Sequence, residues 1–169
     1  DQPGLLQFIT FRLSDSLPAA VLDRLAAEAV DDKGRYRRIE AHLDAGHGAC
    51  WLRRPEIATL VQDALLHFDG TRYRLLAWVV LPNHTHVLIE TKRSFPLHGV
   101  VQSWKGFSAR RANALIGVGG TFWHRDYYDR YIRDDAHLAA VMRYIDHNPV
   151  KAGLAKNAAD WPFGSAGFV

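Results

Sequence analysis

The stretch Leu81-Pro82-Asn83-His84-Thr85-His86-Val87-Leu88-Ile89-Glu90 follows an apolar run from Tyr73 to Val80, and the two together predict a β-hairpin. Side chains of a strand alternate between its two faces, so His84 and His86 point one way and Thr85 points the other. Two imidazoles on one face of a strand can serve as a pair of metal ligands. A single histidine on an apolar face is more often a hydrogen-bonded core residue, so this stretch alone leaves both interpretations open.

The elements around this hairpin are predicted from hydrophobic spacing and from residues typical of helix ends. Ser16 is predicted to cap a first helix, and Pro149 is predicted to stop the last one. The remaining predictions are a strand over Leu5–Leu13, helices over Asp31–Ala45, from Pro55 to Asp69-Gly70, over Leu97–Ile116 and from Asp134 or Asp135 to about Asn148, and a strand or extended segment over Phe122–Ile132.

The composition bounds the class of protein. With 169 residues, of which 48% are hydrophobic and 23% charged, the chain is expected to form one globular domain with its own core. No apolar run reaches the roughly 20 residues that a membrane helix needs. The single cysteine, Cys50, excludes an internal disulfide and a zinc site built from several cysteines. We therefore expect a cytoplasmic bacterial protein that has no membrane partner.

Basic residues outnumber acidic ones between Lys92 and Lys156, which suggests an anionic partner for the C-terminal half. An ordinary solvated basic face is the alternative. Tryptophan and arginine are the residue types that stack on bases and pair with phosphates. On this basis the candidate DNA contacts are Lys105, Arg110, Arg111, Arg125, Arg130, Trp104 and Trp123.

The last helix carries a tyrosine at the edge of its apolar stripe. Leu138, Val141, Met142 and Ile145 form that stripe at helical spacing. Tyr144 and Asn148 share a neighbouring face one turn apart, and His137 lies two turns before Tyr144. A tyrosine in this position lies at the rim of the core and is able to face a cleft.

Other tyrosines compete for a chemical role. Tyr127 and Tyr128 would suit a mechanism that uses a pair of tyrosines. Adjacent residues of an extended segment point to opposite faces, however, so the two cannot both face one phosphate. We expect one of them in the core and the other at the surface or on DNA.

Taken together, these motifs resemble the REP-associated tyrosine transposases, relatives of the single-tyrosine HUH transposases of small insertion sequences. The resemblance runs from about Leu5 to Phe163, and the combination of motifs is more specific than any one of them. The residue between the two histidines is usually apolar in this family, and here it is Thr85. The matching stretches are Trp78–Leu88, Phe122–Arg130, Tyr144–Leu154 and Asp160-Trp161-Pro162-Phe163.

The resemblance implies an α+β fold in which an antiparallel sheet carries the His-x-His strand and helices pack on it, as in the ferredoxin-like HUH fold. It implies one HUH transposase-like domain over residues 1–169. It also implies that His84 and His86 hold a divalent cation, Mg²⁺ or Mn²⁺, that Asn148 completes the site, and that Tyr144 is the nucleophile.

The activity implied by the resemblance is cleavage and rejoining of single-stranded or hairpin DNA, through a 5′-phosphotyrosine link and a free 3′-OH. The enzyme would be a monomer or a homodimer. Two other functions stay open: a hairpin-binding regulator without chemistry, and a zinc hydrolase unrelated to nucleic acid. Against the hydrolase, the sequence has no HExxH motif and no evident carboxylate ligand near the histidines.

Overall fold

The structure is a computed structural model that describes residues 4–28 and 31–168. Its four strands and five main helices follow one another in the order expected from the sequence. Their bounds are β1 Leu6–Arg12, α1 Ala19–Ala27, α2 Asp32–Asp44, α3 Pro55–Leu66, β2 Tyr73–Val80, β3 His84–Thr91, α4 Leu97–Ile116, β4 Tyr128–Tyr131 and α5 Asp135–Lys151.

The strands form an antiparallel sheet in the order β2-β3-β1-β4. This is the strand order of the ferredoxin-like fold, and it confirms the predicted α+β class. The histidine strand β3 is therefore an interior strand, paired with β2 on one side and β1 on the other. Opposite His84 and His86, β1 places Arg12 and Thr10.

The two faces of the sheet are covered by different helices. On one face, Val87 and Ile89 join a core cluster with residues of α3 and α4. On the other face, Leu88 packs with Val141 and Ile145 of α5. His84 and His86 alternate onto the α5 face of the sheet, and the intervening Thr85 points to the opposite face, as predicted.

The end of α5 differs from the prediction. The helix continues through Pro149 to Lys151 instead of ending at the proline. Only two residues of the helix follow Pro149, so its missing N–H costs one hydrogen bond in the final turn. The continuation matters because Lys151 then lies on the same side of the helix as Tyr144 and Asn148.

The cap predicted at Ser16 is wrong, and the strand or extended segment predicted over Phe122–Ile132 is confirmed in part. Ser16 does not cap α1, which begins after Pro18; the buried Ser16 hydroxyl instead donates to the carbonyl of Leu13. The segment Phe122–Ile132 is a strand only over Tyr128–Tyr131, with one isolated bridge between Trp123 and Leu13. Asp134 does cap α5, since its carboxylate accepts the N–H of His137.

The edge strand β2 is covered by the end of the chain. The N–H of Val80 donates to the carbonyl of Phe163, and the Trp161 indole donates to the carbonyl of Val80. These bonds occupy main-chain groups that an open sheet edge would expose. Within the described residues, no helix combines the length and the apolar character needed to cross a membrane.

Candidate active site

The two histidines of β3 are fully buried and held by hydrogen bonds at Nδ1. His84 Nδ1 lies 2.8 Å from Asn83 Oδ1, and the Asn83 amide nitrogen donates to the carbonyl of His47. The Asn83 oxygen therefore accepts, so Nδ1 of His84 carries the proton and Nε2 keeps its lone pair. His86 Nδ1 lies 2.8 Å from Thr10 Oγ1. Both Nε2 atoms are buried, and that of His84 has no hydrogen-bond partner among the described residues.

A carboxylate from α2 joins the histidine pair. Potential ligand atoms of Glu40, His84 and His86 all lie within 4.8 Å of one another. Glu40 Oε2 lies 3.2 Å from His86 Nε2, and Oε1 of the same carboxylate is buried without a partner in the described part of the chain. Two imidazole nitrogens and a carboxylate form a donor set that suits a divalent metal ion.

Glu40 was not predicted from the sequence, where the histidines were expected to have no carboxylate close by. The structure contradicts that expectation. A signal was present in α2, because Tyr36, Glu40 and Leu43 are spaced by four and three residues and so share one face of the helix. A glutamate on the inward face of an otherwise charged helix indicates a buried partner.

The electrostatics of the cluster keep the histidine ligand neutral and the carboxylate charged. Burial, reinforced by the neighbouring His86, lowers the pKa of His84 to about 3. Burial is the largest single influence on Glu40 and raises its pKa, but the interactions with His86 and His84 and the hydrogen bond from Tyr144 together outweigh it and lower the pKa to about 2. At neutral pH, His84 therefore offers a lone pair and Glu40 a negative charge.

Asn148 lies at the same buried face of the sheet. Its side chain is 1% exposed, and both amide atoms lack a hydrogen-bond partner among the residues described. Buried polar atoms without partners are rare in folded proteins and call for an explanation such as a bound ion or water. The amide oxygen of Asn148 is a chemically suitable fourth ligand, and its role stays a prediction.

Tyr144 meets the cluster from α5. Its hydroxyl donates to Glu40 Oε2, and its ring centroid lies 5.3 Å from that of His86. Burial, together with the charge and the hydrogen bond of Glu40, raises the pKa of Tyr144 above its usual value. The chain thus brings its own Tyr144 to its own histidine pair, and in this arrangement the hydroxyl is protonated.

A cleft of about 770 Å³ leads to Tyr144 and Glu40. Its basic side chains come from three separate elements, α2, α5 and the region around β4. Lys151 lies 2.8 Å from Asp44 and 5.9 Å from the centre of the Tyr144 ring. The basic residues that line the cleft are Lys33, Arg37, Arg130, Arg133 and Lys151.

Comparison with known proteins shows the family of the chain. A family model described as IS200-like transposase matches residues 55–148, more than half of the chain, and this span includes both histidines, Tyr144 and Asn148. The REP-associated tyrosine transposase of Escherichia coli is 30% identical over 119 residues, which are 66% of this chain and 68% of that protein. A putative REP-associated tyrosine transposase of Haemophilus influenzae is 44% identical over 103 residues. The chain belongs to the REP-associated tyrosine transposases, within the IS200-like family.

The match to the Haemophilus relative covers 55% of this chain and 58% of that protein, so this transposase spans less than two thirds of that relative's length. A solved REP-associated tyrosine transposase bound to a REP hairpin has the same fold. It superposes with a TM-score of 0.60 over 97% of this chain and 78% of that chain, at 19% sequence identity. Glu40 lies outside the segment that the family model matches.

Of the five basic residues singled out from the sequence of this transposase, only Arg130 lines the cleft. The Arg130 guanidinium lies 2.9 Å from His137 Nε2, which brings His137 to the cleft as well. Lys105 donates to the carbonyls of His124 and Arg125 and thereby fixes the loop before β4. Arg110 and Arg111 are exposed on α4, the helix on the opposite face of the sheet, and the side chain of Arg125 is 95% exposed.

The two tryptophans proposed to stack on bases are core residues. Trp104 is 1% exposed and its indole N–H donates to the hydroxyl of Tyr73. Trp123 is 4% exposed and donates to Ser108 Oγ. Neither ring presents a face to solvent, so the prediction that they contact DNA does not fit this structure. Their apolar surface instead fills the core between the sheet and helices α3 and α4.

Tyr127 and Tyr128 lie on opposite faces of the sheet, as the alternation of an extended segment requires. Tyr127 packs against the core on the α3–α4 face, and Tyr128 packs on the α5 face. Tyr128 stacks on Tyr36, with ring centroids 4.0 Å apart. Of the three tyrosines that were candidates from the sequence, Tyr144 is the one whose ring lies beside His86.

Proposed function

We propose that this transposase cleaves and rejoins structured DNA, with Tyr144 as the nucleophile and a divalent cation held by His84, His86, Glu40 and Asn148. The observation that carries the proposal is the convergence of a tyrosine hydroxyl, two buried imidazoles and a carboxylate beside a basic cleft. Those are the groups that phosphodiester cleavage by a tyrosine requires.

The donor set fits a divalent metal ion. A bound Mg²⁺ or Mn²⁺ would neutralise the scissile phosphate and offset the field that keeps Tyr144 protonated. The chain's own contribution is to hold the ligand atoms in place. Asn83 and Thr10 orient the two imidazoles, and the sheet fixes both on one rigid strand.

Tyr144 would attack the phosphorus atom while the bond between phosphorus and the 3′ oxygen breaks. The products are a 5′-phosphotyrosine and a strand that ends in a 3′-OH. Glu40 already accepts the hydrogen bond of the Tyr144 hydroxyl, so its carboxylate is placed to receive that proton. The departing 3′ oxygen gains a proton from water. Attack of a 3′-OH on the phosphotyrosine reverses these steps and rejoins DNA without ATP.

The substrate strand would run along the cleft, where Lys33, Arg37, Arg130, Arg133 and Lys151 offer positive charge to phosphates. A REP hairpin is the ligand of the structural neighbour, and we propose a palindromic hairpin with single-stranded flanks as the substrate class here. Because Tyr144 and the histidines meet within one chain, we propose that the tyrosine acts in cis.

The test is covalent capture of labelled DNA. Hairpin oligonucleotides labelled at the 5′ or the 3′ end are incubated with protein and Mn²⁺ or Mg²⁺ and resolved on denaturing gels. We expect a protein–DNA adduct with the unmodified enzyme and none with Tyr144→Phe, with His84→Ala or in EDTA. A Tyr128→Phe variant is the matched control and should keep the adduct.

Other outcomes of the covalent-capture assay would change specific parts of the proposal. An adduct that persists in Tyr144→Phe would refute the proposed nucleophile. Binding without any adduct, across palindromes taken from the source genome, would favour the hairpin-binding regulator. A mixture of Tyr144→Phe and His84→Ala should stay inactive, because neither chain holds a complete site; recovered cleavage would show that the tyrosine acts in trans.

A further inference from the structure

A second cavity, of about 340 Å³, lies beside the catalytic cleft. Its walls come from β1, from α2 and from the segment that leads into β4. Tyr36 and Tyr128 line both spaces, and their stacked rings form the wall between the cavity and the cleft. A DNA strand bound in the cleft would therefore pass directly beside the second cavity.

The cavity is connected to the histidine pair by two hydrogen bonds. The Tyr36 hydroxyl lies 3.0 Å from Thr10 Oγ1, and Thr10 Oγ1 lies 2.8 Å from His86 Nδ1. Thr10 and Tyr36 both line the cavity. A group bound there would be close to a phosphate held at the histidines, within the reach of a neighbouring nucleotide.

The chemistry of the cavity differs from that of the cleft. The cleft is lined by five basic residues against Glu40 and Asp44, as a path for phosphates requires. The cavity is lined by aromatic and aliphatic surface together with balanced charges, Arg12 and Arg35 against Asp32 and Asp126. Balanced charges do not favour an anion. They do offer both donors and acceptors, which the edge of a nucleobase needs, and tyrosine rings offer a stacking surface.

We propose that this cavity is a base-recognition pocket that takes one unpaired nucleobase from the single-stranded flank of the substrate. This inference rests on the proposed function and adds to it the means by which sequence is read. The phosphates of the strand lie along the cleft and fix its position, and the base that enters the pocket supplies specificity. At about 340 Å³ the cavity has the size of a small-molecule site.

The test compares two arginines of the same helix, two residues apart. Arg35 lines the pocket and Arg37 lines the cleft. Hairpin DNA with randomised single-stranded flanks is incubated with protein in EDTA, and the retained molecules are sequenced. EDTA separates recognition from cleavage. The unmodified protein should enrich particular bases in a flank.

We expect Arg35→Ala to lose the preference at one flank position, by on the order of ten-fold, and to keep the preferences elsewhere. Arg37→Ala should bind all sequences more weakly while keeping every preference. Asp32→Asn is a second pocket variant of nearly unchanged shape, and it should alter the preference at the same position as Arg35→Ala. An abasic site at the flank position whose preference is lost in Arg35→Ala should weaken DNA binding to the unmodified protein. The same abasic site should cause no further loss of DNA binding in the Arg35→Ala variant.

Two results would overturn the inference, and they are distinguishable. If hairpins are retained but flank preferences are absent, or are unchanged in both Arg35→Ala and Asp32→Asn, the cavity does not read a base and the proposed function stands. If the unmodified protein retains no hairpin DNA, the proposed function fails and the pocket with it.

Discussion

Replacing His84 should remove a specific acid sensitivity from the metal-free protein. The buried imidazole has a pKa of about 3 in the folded chain, against 6.5 for an unperturbed histidine. Below pH 6.5 the unfolded chain takes up a proton that the folded chain refuses. The stability contributed by the neutral ring is therefore complete above pH 6.5 and is lost progressively as the pH falls towards 3.

The magnitude follows from the two pKa values. Within this window each pH unit costs about 1.4 kcal/mol, so lowering the pH from neutral to about 5 should cost about 2 kcal/mol from His84 alone. Glu40 does not contribute in this range. Its pKa is lowered from 4.5 to about 2, so it stays ionised in both folded and unfolded chains above pH 4.5 and begins to contribute only below that.

The assay is urea unfolding of the unmodified protein and of His84→Asn in EDTA, at pH values from about 5 to neutrality. The variant starts from a lower stability, so the compared quantity is the slope of unfolding free energy against pH. His124 and His137 also have lowered pKa values, but they act equally in both proteins. Equal slopes in the two proteins would refute the argument that His84 is held neutral by burial.

Three further predictions concern the cluster, the cleft and the core. Glu40→Gln should weaken Mn²⁺ binding by about ten-fold or more, measured by isothermal titration calorimetry, because it removes the charged oxygen ligand; an unchanged Kd would exclude Glu40 from the metal site. Lys151→Ala should weaken hairpin binding in fluorescence anisotropy and make the salt dependence less steep by about one phosphate contact, whereas Arg110→Ala on the opposite face should change neither. Equal losses in both would contradict the assignment of the cleft. Trp104→Ala should cost about 3–5 kcal/mol in urea unfolding, because it removes a buried ring and its hydrogen bond to Tyr73; a loss below about 1 kcal/mol would show that the ring is not part of the core.

Local pattern in the sequence was enough for most of the fold. The bounds of α4 match the prediction at both ends, and the hairpin differs only by including Thr91. These elements have strong periodicity and clear terminating residues, such as Gly117 in the left-handed conformation after α4. The predictions failed where one residue was given more weight than its surroundings, as with Ser16 and Pro149.

The residues of the candidate site also separate into those that local spacing predicted and those that it did not. Alternation on β3 and helical spacing on α5 placed His84 with His86 and Tyr144 with Asn148, because each pair lies within one element. The basic residues were chosen from the sequence by type alone, and type does not tell which face of the sheet a helix covers. Arg110 therefore falls on the opposite face from the histidines, and Trp104 falls in the core.

The sequence by itself determined the fold class, the placement of His84 and His86 on one face of a strand and the helical spacing of Tyr144 and Asn148, since these depend on short-range periodicity and on motifs. Only the tertiary structure brought Glu40 to Tyr144, across 104 residues of chain, and placed α2 against the histidines. The physical reason is that a contact between distant segments depends on how helices dock on the sheet. That docking is decided by packing over the whole core rather than by any local pattern.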